Sequence, residues 1–510
     1  MPGAAERVWR NDWRRVVPAG LGQLEARLTV TVVIPARDCQ FELGLTLAAL
    51  AEQTYPSELV DVIVVDDASS PPLSLPVIRP RRSRLLRLGE YGAHGSGRAR
   101  AEGAKAAEGD VLLFLDADMI AEREHVEAHL RWHHVLADAV VLGSKEFVDV
   151  SGLDAAGIGT AVRDGSLGEL LAGRERSDHG WLDRLIERTH GLVEAGDELF
   201  TAVVGATLSV PRGIYHESGG FSSFDRRGIV DTEFGYRAVT AGAIVVPDPE
   251  ARSVHQGLRS FVTQGEGIKR LRAGLAANYL PTRIFRPPVR GRSWAVPRVA
   301  ALVPADGLSY EQLAVTVDAI VAGDLDDVAV TVHGRLDEQC VELLCAYYSH
   351  DRRVSISPGQ GVNTGFPSPY TAIVPAGTVL GTTALTALVR RLDDSRLGLV
   401  TTETAAGEVQ VWRTAALHRA RRDAPAEGDD AVAAVARLFG AERVSRGLIP
   451  ATEAKPRANR TGMVYDETLA ALVDPARPRF RQLRRWMRRG GRGVRRVGSA
   501  LRSTGPRTRA

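Results

Sequence analysis

The sequence predicts an α/β protein built on a parallel sheet, and it predicts that arrangement twice. Apolar, β-branched runs such as LTVTVVIP, ending at Pro35, and VDVIVV, ending at Val65, lack polar alternation, as expected of strands buried on both faces. The segments between such runs have helical spacing, and a strand–helix–strand order within one sheet implies right-handed crossovers. A chain of 510 residues also exceeds what one hydrophobic core usually supports, and its later half repeats the order of its earlier half.

Each element has its own justification. After the strand ending at Pro35, FELGLTLAALAEQ (Phe41 to Gln53) places apolar residues three or four apart, which predicts a helix, and Val60 to Val65 predicts the second strand. A Pro- and Arg-rich connection leads to GSGRARAEGAKAAEG (Gly95 to Gly109), a helix of small residues, then to DVLLFLDAD (Asp110 to Asp118), a buried strand ending in carboxylates. Residues 145–200, including HGWLDRLIERTHGL, read as a helical insertion. In the later half, Arg298 to Gly334 parallels the first strand–helix–strand unit. Tyr370 to Leu392 echoes the third strand and its helix, and Val409 to Ala420 echoes ATLSVPRGIYHES (Ala206 to Ser218). This pattern implies an internal duplication; the alternative is an unrelated α/β unit whose buried strands look alike. Val374-Pro375-Ala376-Gly377 stands where the earlier half has Leu115-Asp116-Ala117-Asp118, so the copy lacks the acidic motif. The expected organisation is an N-terminal extension (1–28), a first domain (29–290), a smaller α/β domain (295–450), a linker (451–476) and a basic tail (477–510).

Composition narrows the function classes. The apolar and charged fractions, 44% and 25%, are those of a globular protein, and no run approaches the roughly 20 apolar residues of a membrane span. MPGAAERVWRNDWRRVV interleaves Arg and Trp and lacks the apolar core of a signal peptide. Cys39, Cys340 and Cys345 match neither a disulfide framework nor a zinc site. Together these features predict a cytoplasmic protein. The net charge of +3 conceals an asymmetry: residues 477–510 contain 13 arginines and no acid, so the remainder carries 3 − 13 = −10. An acidic body argues against nucleic acid as its partner.

The chemistry-bearing residues lie at the ends of predicted strands. Asp66 and Asp67 follow DVIVV, where a carboxylate can accept hydrogen bonds from a ribose or a base edge. Asp116 and Asp118, two apart in extended chain, project to the same side and can share a hard cation, for which Mn2+ or Mg2+ is suited. His255, in ARSVHQG, can complete such a carboxylate site or be structural. Asp231 opens DTEFGYRAVTAG, either as a reactive carboxylate or as a capping residue. GAHGSGRAR offers a glycine-rich turn before a helix, but it does not follow the first strand and is not a dinucleotide fingerprint. It places Arg100 near a bound nucleotide.

The ordered set VIPARD, VVDDAS, the Gly/Ala/Arg helix before LDAD, and DTEFGYRAVTAG closely resembles the family 2 glycosyltransferases of GT-A fold, over about residues 29–260. The resemblance implies an inverting transferase that takes a nucleotide-sugar donor and a glycan or lipid-linked acceptor, in cell-envelope or extracellular glycan synthesis. It implies that Asp116 and Asp118 bind the metal and the diphosphate with His255 nearby, that Asp67 with Asp66 contacts the nucleoside, and that Pro35 begins the segment under the base. Arg37 and Asp38 occupy positions more often aromatic and Asn. The general base of the family is the Asp of a Glu-Asp pair, which here reads Val230-Asp231, and Glu233, Phe234 and Arg237 keep the rest of that motif. Thr207, where relatives often have Asn, Gly220 of the Gly-Gly-Phe turn, Glu233 and Arg237 are implied on the acceptor side, with residues 145–200 shaping that pocket. A catalytically impaired nucleotide-sugar-binding or assembly protein is the alternative that Val230 leaves open. A sugar-phosphate nucleotidyltransferase would need a glycine-rich loop after the first strand, and PARDCQ has no glycine.

The tail has a reading of its own. Phe480, Leu483, Met487, Val494, Val497 and Leu501 recur every few residues among arginines, which suits an amphipathic basic helix on an anionic membrane surface, at the inner face of the plasma membrane, or else a solubilising tail.

Overall fold

The computed structural model of the chain describes residues 8–89, 95–177, 180–222, 229–257, 266–287, 291–359, 364–423, 431–444 and 451–453. The basic tail and most of the expected linker lie outside the described residues, as do Gly92 to His94 of the glycine-rich stretch.

The first sheet contains β1 (Val30–Ala36), β2 (Val60–Asp66), β3 (Ser83–Arg87), β4 (Val111–Leu115), β5 (Met119–Ala121), β6 (Ala139–Val148), β7 (Arg176–Ser177), β8 (Thr207–Pro211) and β9 (Ile244–Gln256). Their order is β3-β2-β1-β4-β8-β6-β9-β5, with β7 on the edge of β6. Strand β1 pairs in parallel with β2 from Val30↔Val60 to Ala36↔Asp66, and with β4 on its other side. The chain therefore turns to opposite sides of β1, which leaves a crevice at the carboxyl ends of β1, β2 and β4. Strand alternation sends Val33, Ile63, Val65 and Phe114 to one face, where they meet Ala99 and Ala104 of α2 (Ser96–Lys105). It sends Val32, Ile34, Val64 and Leu113 to the other, against Leu43 and Leu47 of α1 (Gln40–Leu50) and Val126 and Leu130 of α3 (His125–His133). The small residues of α2 are a packing requirement: a Cβ on Gly103 would lie 2.4 Å from Val33 Cγ1. The insertion after β6 is helical in α4 (Ala155–Asp164), α5 (Leu167–Leu170) and α6 (Trp181–Arg188). Two further helices, α7 (Arg212–Glu217) and α8 (Val230–Thr240), flank β8 and β9, and α9 (Glu266–Tyr279) follows.

The second sheet contains β10 (Val299–Pro304), β11 (Val328–Gly334), β12 (Val354–Pro358), β13 (Tyr370–Ile373), β15 (Leu399–Thr404), β16 (Gly407–Arg413) and β17 (Ala441–Val444); β14 (Thr378–Leu380) pairs with β18 (Ala451–Glu453). Its order, β12-β11-β10-β13-β16-β15-β17, repeats strand for strand the first sheet's β3-β2-β1-β4-β8-β6-β9. Pairing senses repeat too: β13–β16 is antiparallel like β4–β8, and β14–β18 is antiparallel like β5–β9. The helices α10 (Tyr310–Val321), α11 (Glu338–Tyr347), α12 (Ala384–Ser395), α13 (Thr414–Asp423) and α14 (Ala431–Leu438) complete this unit. Strand β18 carries the second unit three residues into the expected linker.

The stretch expected as an N-terminal extension is woven into both units. Asn11 donates to the carbonyls of Leu192 and Val245 and accepts from the Val245 amide, while Trp13 donates to the Gly191 carbonyl at 2.8 Å and packs edge-on against Trp132. On the other side the Arg10 amide donates to Leu438 O, and the Arg419 guanidinium donates to the carbonyls of Val8 and Arg10. Helix α13 meets α7 through His418–Glu217 at 2.5 Å and Arg422–Glu217 at 2.8 Å, and the end of α8 through Arg422, which donates to Ala241 O at 2.8 Å. Tyr236 of α8 donates to Pro367 O at 2.6 Å. No helix among the described residues is long and apolar enough to cross a membrane.

Candidate active site

Four separate stretches of chain converge at the crevice. Strand β4 ends at Leu115 and releases Asp116, whose amide donates to Ala206 O, so the acidic turn is hung on the antiparallel neighbour β8. Asp118 is held by its carbonyl, which accepts from the Gln256 amide at 2.8 Å, and Thr46 Oγ1 donates to Ala117 O at 2.7 Å. Antiparallel pairing of β5 with β9 sets Met119 opposite His255, and the imidazole Nε2 lies 3.3 Å from Asp118 Oδ2. The first turn of α8 supplies Asp231.

Arg100 joins these parts. Its side chain is 2% exposed, yet Nη2 donates to Asp116 Oδ1 at 2.6 Å and to Gly205 O at 3.1 Å, while Nη1 donates to Asp231 Oδ1 at 2.8 Å. Burial disfavours the guanidinium charge, but the Asp231 and Asp116 carboxylates outweigh it and raise the pKa above the ordinary arginine value. The acidic partners open to solvent: Asp116, Asp118 and Asp231 are 31%, 37% and 33% exposed. Around Asp118, burial and the adjacent Asp116 push the carboxyl up to about 6, against the pull of His255. Its Oδ1 is buried with no hydrogen-bond partner among the described residues. A hard oxygen donor in that state fits a cation. Two carboxylates do not form a closed cage, and among the described residues no three His, Cys, Asp or Glu side chains could hold a metal by themselves.

Several predicted residues do other work. Asp66 is buried and accepts from the amides of Ser69 and Leu73, and so folds the loop after β2. Asp67, also buried, accepts from the Gly95 amide at 2.7 Å and ties β2 to the start of α2. Pro35 sits in β1 opposite Val65, and Arg37 reaches Asp38 at the exposed lip. Arg100, expected beside a nucleotide, contacts carboxylates. Thr207 is buried on the α3 side, where its hydroxyl meets His125 Nε2 and His129 Nε2, each at 3.1 Å. Glu233 and Arg237 are buried and paired, Nε to Oε1 at 2.5 Å. The same guanidinium holds the carbonyls of Ser218 and Gly220, and Glu233 accepts from Ser222. That brace fixes the Gly219-Gly220-Phe221 turn, in which Gly220 has φ +64° and no room for a Cβ beside the Tyr215 ring.

Sequence reasoning missed Gly205 and Gly97. A Cβ on Gly205 would lie 2.5 Å from Asp231 Oδ1 and 2.7 Å from Arg100 Cζ. One on Gly97 would lie 2.6 Å from Ser222 O and 2.7 Å from Val230 Cγ1. Val230, where the resemblance leads one to expect Glu, is thus the buried contact by which α8 seats on α2. Their signal in the sequence is faint, because a glycine needed for close approach looks like any other.

An acidic turn at the end of a central strand, faced across the crevice by a helix-borne carboxylate, defines the class: an α/β sheet of Rossmann-like, GT-A type. Residues 31–158 match the family model described as Glycosyl transferase family 2. The chain is 30% identical over 110 residues to the poly(ribitol-phosphate) beta-N-acetylglucosaminyltransferase TarS of Staphylococcus aureus, a match covering 20% of this chain and 19% of that protein. It thus spans about a fifth of the length of the curated relative. Among solved structures, S. aureus TarS 1-349 in complex with UDP-GlcNAc aligns at 15% identity and TM-score 0.35, over 50% of this chain and 68% of that one. The mannosyltransferase PcManGT from Pyrobaculum calidifontis, in complex with GDP-Man and Mn2+, aligns at 17% identity and TM-score 0.32, over 54% and 66%.

Proposed function

We propose that the protein is an inverting glycosyltransferase that moves a sugar from a nucleoside-diphosphate donor to a hydroxyl acceptor. The observation that carries this reading is the convergence of Asp116, Asp118, His255 and Asp231 on one crevice, with Arg100 spanning Asp116 and Asp231. Asp116 and Asp118 would hold a divalent cation, Mn2+ or Mg2+, with His255 beside them, and the ion would supply charge neutralisation at the diphosphate leaving group. Such ions keep open positions for phosphate oxygens and water, which suits a site with too few protein ligands to close around one.

The chain's own groups serve the other end of the reaction. Asp231 Oδ1 is occupied by Arg100, which leaves Oδ2 to take the proton of the acceptor hydroxyl. The hydroxyl oxygen forms its bond to the anomeric carbon as the carbon–oxygen bond to the diphosphate breaks. The bonding electron pair leaves with the diphosphate, and configuration inverts. The nucleoside lies along the end of β2 near Asp67, with the backbone of Pro35 and the side chain of Arg37 at the lip. The acceptor is a glycan or lipid-linked hydroxyl, and the arginine-rich tail draws the protein to an anionic membrane surface.

A panel of UDP-, GDP- and dTDP-sugars, assayed for Mn2+-dependent nucleoside diphosphate release and for the anomeric configuration of the product, tests this reading. At least one donor turns over, and Asp231→Asn or Asp118→Ala lowers kcat by about 10²–10⁴-fold. Retained configuration, or full activity in both variants, overturns it.

A further inference from the structure

We infer that Arg100 is a positioning residue that couples the cation end of the site to its base. The inference rests on the glycosyltransferase reading above. One guanidinium donates to Asp116 with Nη2 and to Asp231 with Nη1, and in each case it engages Oδ1 only. Each carboxylate therefore keeps Oδ2 for other work, while the distance between the two groups is set by a single rigid planar fork. The fork is itself immobilised. Nη2 also donates to Gly205 O at 3.1 Å, the Phe221 ring lies beneath Cζ at 5.3 Å, and the absent Cβ of Gly205 makes the close approach possible. The side chain is 2% exposed, so no solvent competes for those donors.

This arrangement has a consequence that a plain structural salt bridge lacks. Asp116 belongs to the pair, in the turn after β4, that would receive a cation, whereas Asp231 stands on α8 and is not among those ligands. Because both share Arg100, removing the charge of Asp231 leaves Asp116 as the only carboxylate on the guanidinium. The Arg100–Asp116 bond strengthens, and Asp116 becomes a poorer partner for a cation. Arg100→Lys keeps the positive charge but replaces the fork by one ammonium group, which cannot hold both carboxylates in the same geometry.

The test is a double-mutant cycle read by Mn2+ binding to the full-length, donor-free protein, measured by electron paramagnetic resonance of free Mn2+. In the otherwise natural protein, Asp231→Asn weakens Mn2+ binding by about 5-fold, within the usual range of coupling between residues of one network. In the Arg100→Lys background the same substitution leaves Mn2+ affinity within 2-fold. An equal weakening in both backgrounds means that the effect is the long-range loss of one negative charge, and the inference is overturned; so does no weakening in either. Far-ultraviolet circular dichroism and melting temperature establish that the variants fold, and Asp231→Glu, which restores a carboxylate, returns Mn2+ affinity toward that of the natural protein. A natural protein that binds no Mn2+ at all overturns the metal-dependent reading itself, which separates that failure from a failure of the coupling.

Discussion

The two sheets share one topology and differ in what they bury beneath it. Under β8 of the first sheet, α3 presents His125, His129 and His133, whereas α12, the corresponding helix of the second, presents Leu385, Leu388, Val389 and Leu392. The histidines form one directed chain. His125 Nδ1 donates to Arg252 O at 2.8 Å, so its Nε2 accepts from Thr207; His129 Nε2 then donates to Thr207 and its Nδ1 accepts from Ser209, which in turn accepts from His133 Nε2. His125 and His129 each donate with one ring nitrogen and accept with the other, so this order requires both to be neutral, and burial pushes all three pKa values down, to about 4 for His125 and about 3 for His133. At the carboxyl ends the contrast continues: Asp116 and Asp118 in the first sheet, Pro375 and Gly377 in the second. A fold can thus keep its strand order while one copy trades polar burial for an apolar core, because topology is set by which residues are buried and reactivity by which of them are polar.

That contrast can be broken at graded cost. Among substitutions, the largest effect is expected from Leu388→His, which puts an unpartnered imidazole into an apolar layer and should cost about 3–5 kcal/mol in chemical denaturation. A loss under 1 kcal/mol would show that the second core tolerates the first core's chemistry. Next is Gly205→Ala, whose methyl group would displace Asp231 and Arg100; activity should fall about 100-fold, as for a misplacement of roughly 1 Å, while Asp306→Asn, after β10 of the second sheet, leaves turnover unchanged. His129→Leu should cost about 1–3 kcal/mol because the hydroxyls of Thr207 and Ser209 each lose a partner. An increase in stability instead would mean that the histidine chain carries no net polar requirement.

Beyond the substitutions, a further effect is one of pH, and it adds over the three histidines. In the unfolded chain each imidazole takes up a proton near pH 6.5, whereas the folded chain excludes it, so the unfolded state binds more protons below that value. No penalty exists above about pH 6.5, and it then grows by about 1.4 kcal/mol per pH unit for each histidine as pH falls toward about 4 for His125 and about 3 for His133. Hydrogen exchange at pH 5 against pH 7 should therefore show residues 95–257 loosening before residues 299–423. The reverse order would contradict the contrast drawn between the two cores.

Much of this was legible in the sequence, and the rest was not for identifiable reasons. The apolar runs up to Pro35, Val65 and Leu115 announced buried strands because burial on both faces forbids polar alternation, and the acidic turn at Asp116 and Asp118 stood out because carboxylates at a strand end have few other uses. The buried partners of Thr207, Glu233 and Arg237 were not legible, because a polar residue in a functional stretch reads the same whether it faces a crevice or a buried partner. The partners of Arg100 were not legible either: no local pattern states that it reaches residues 16 and 131 positions away.

The sequence by itself determined the alternation of strands and helices and its repetition, the first unit's acidic groups and their loss from the second, since each depends on residue type and short-range spacing. Only the tertiary structure decided that Asp116 and Asp231 share one guanidinium, that Gly97 and Gly205 must lack side chains, and that residues 8–16 strap the two units together. Those outcomes depend on distances between segments far apart in the chain, which are fixed by how the sheet, α2 and α8 pack.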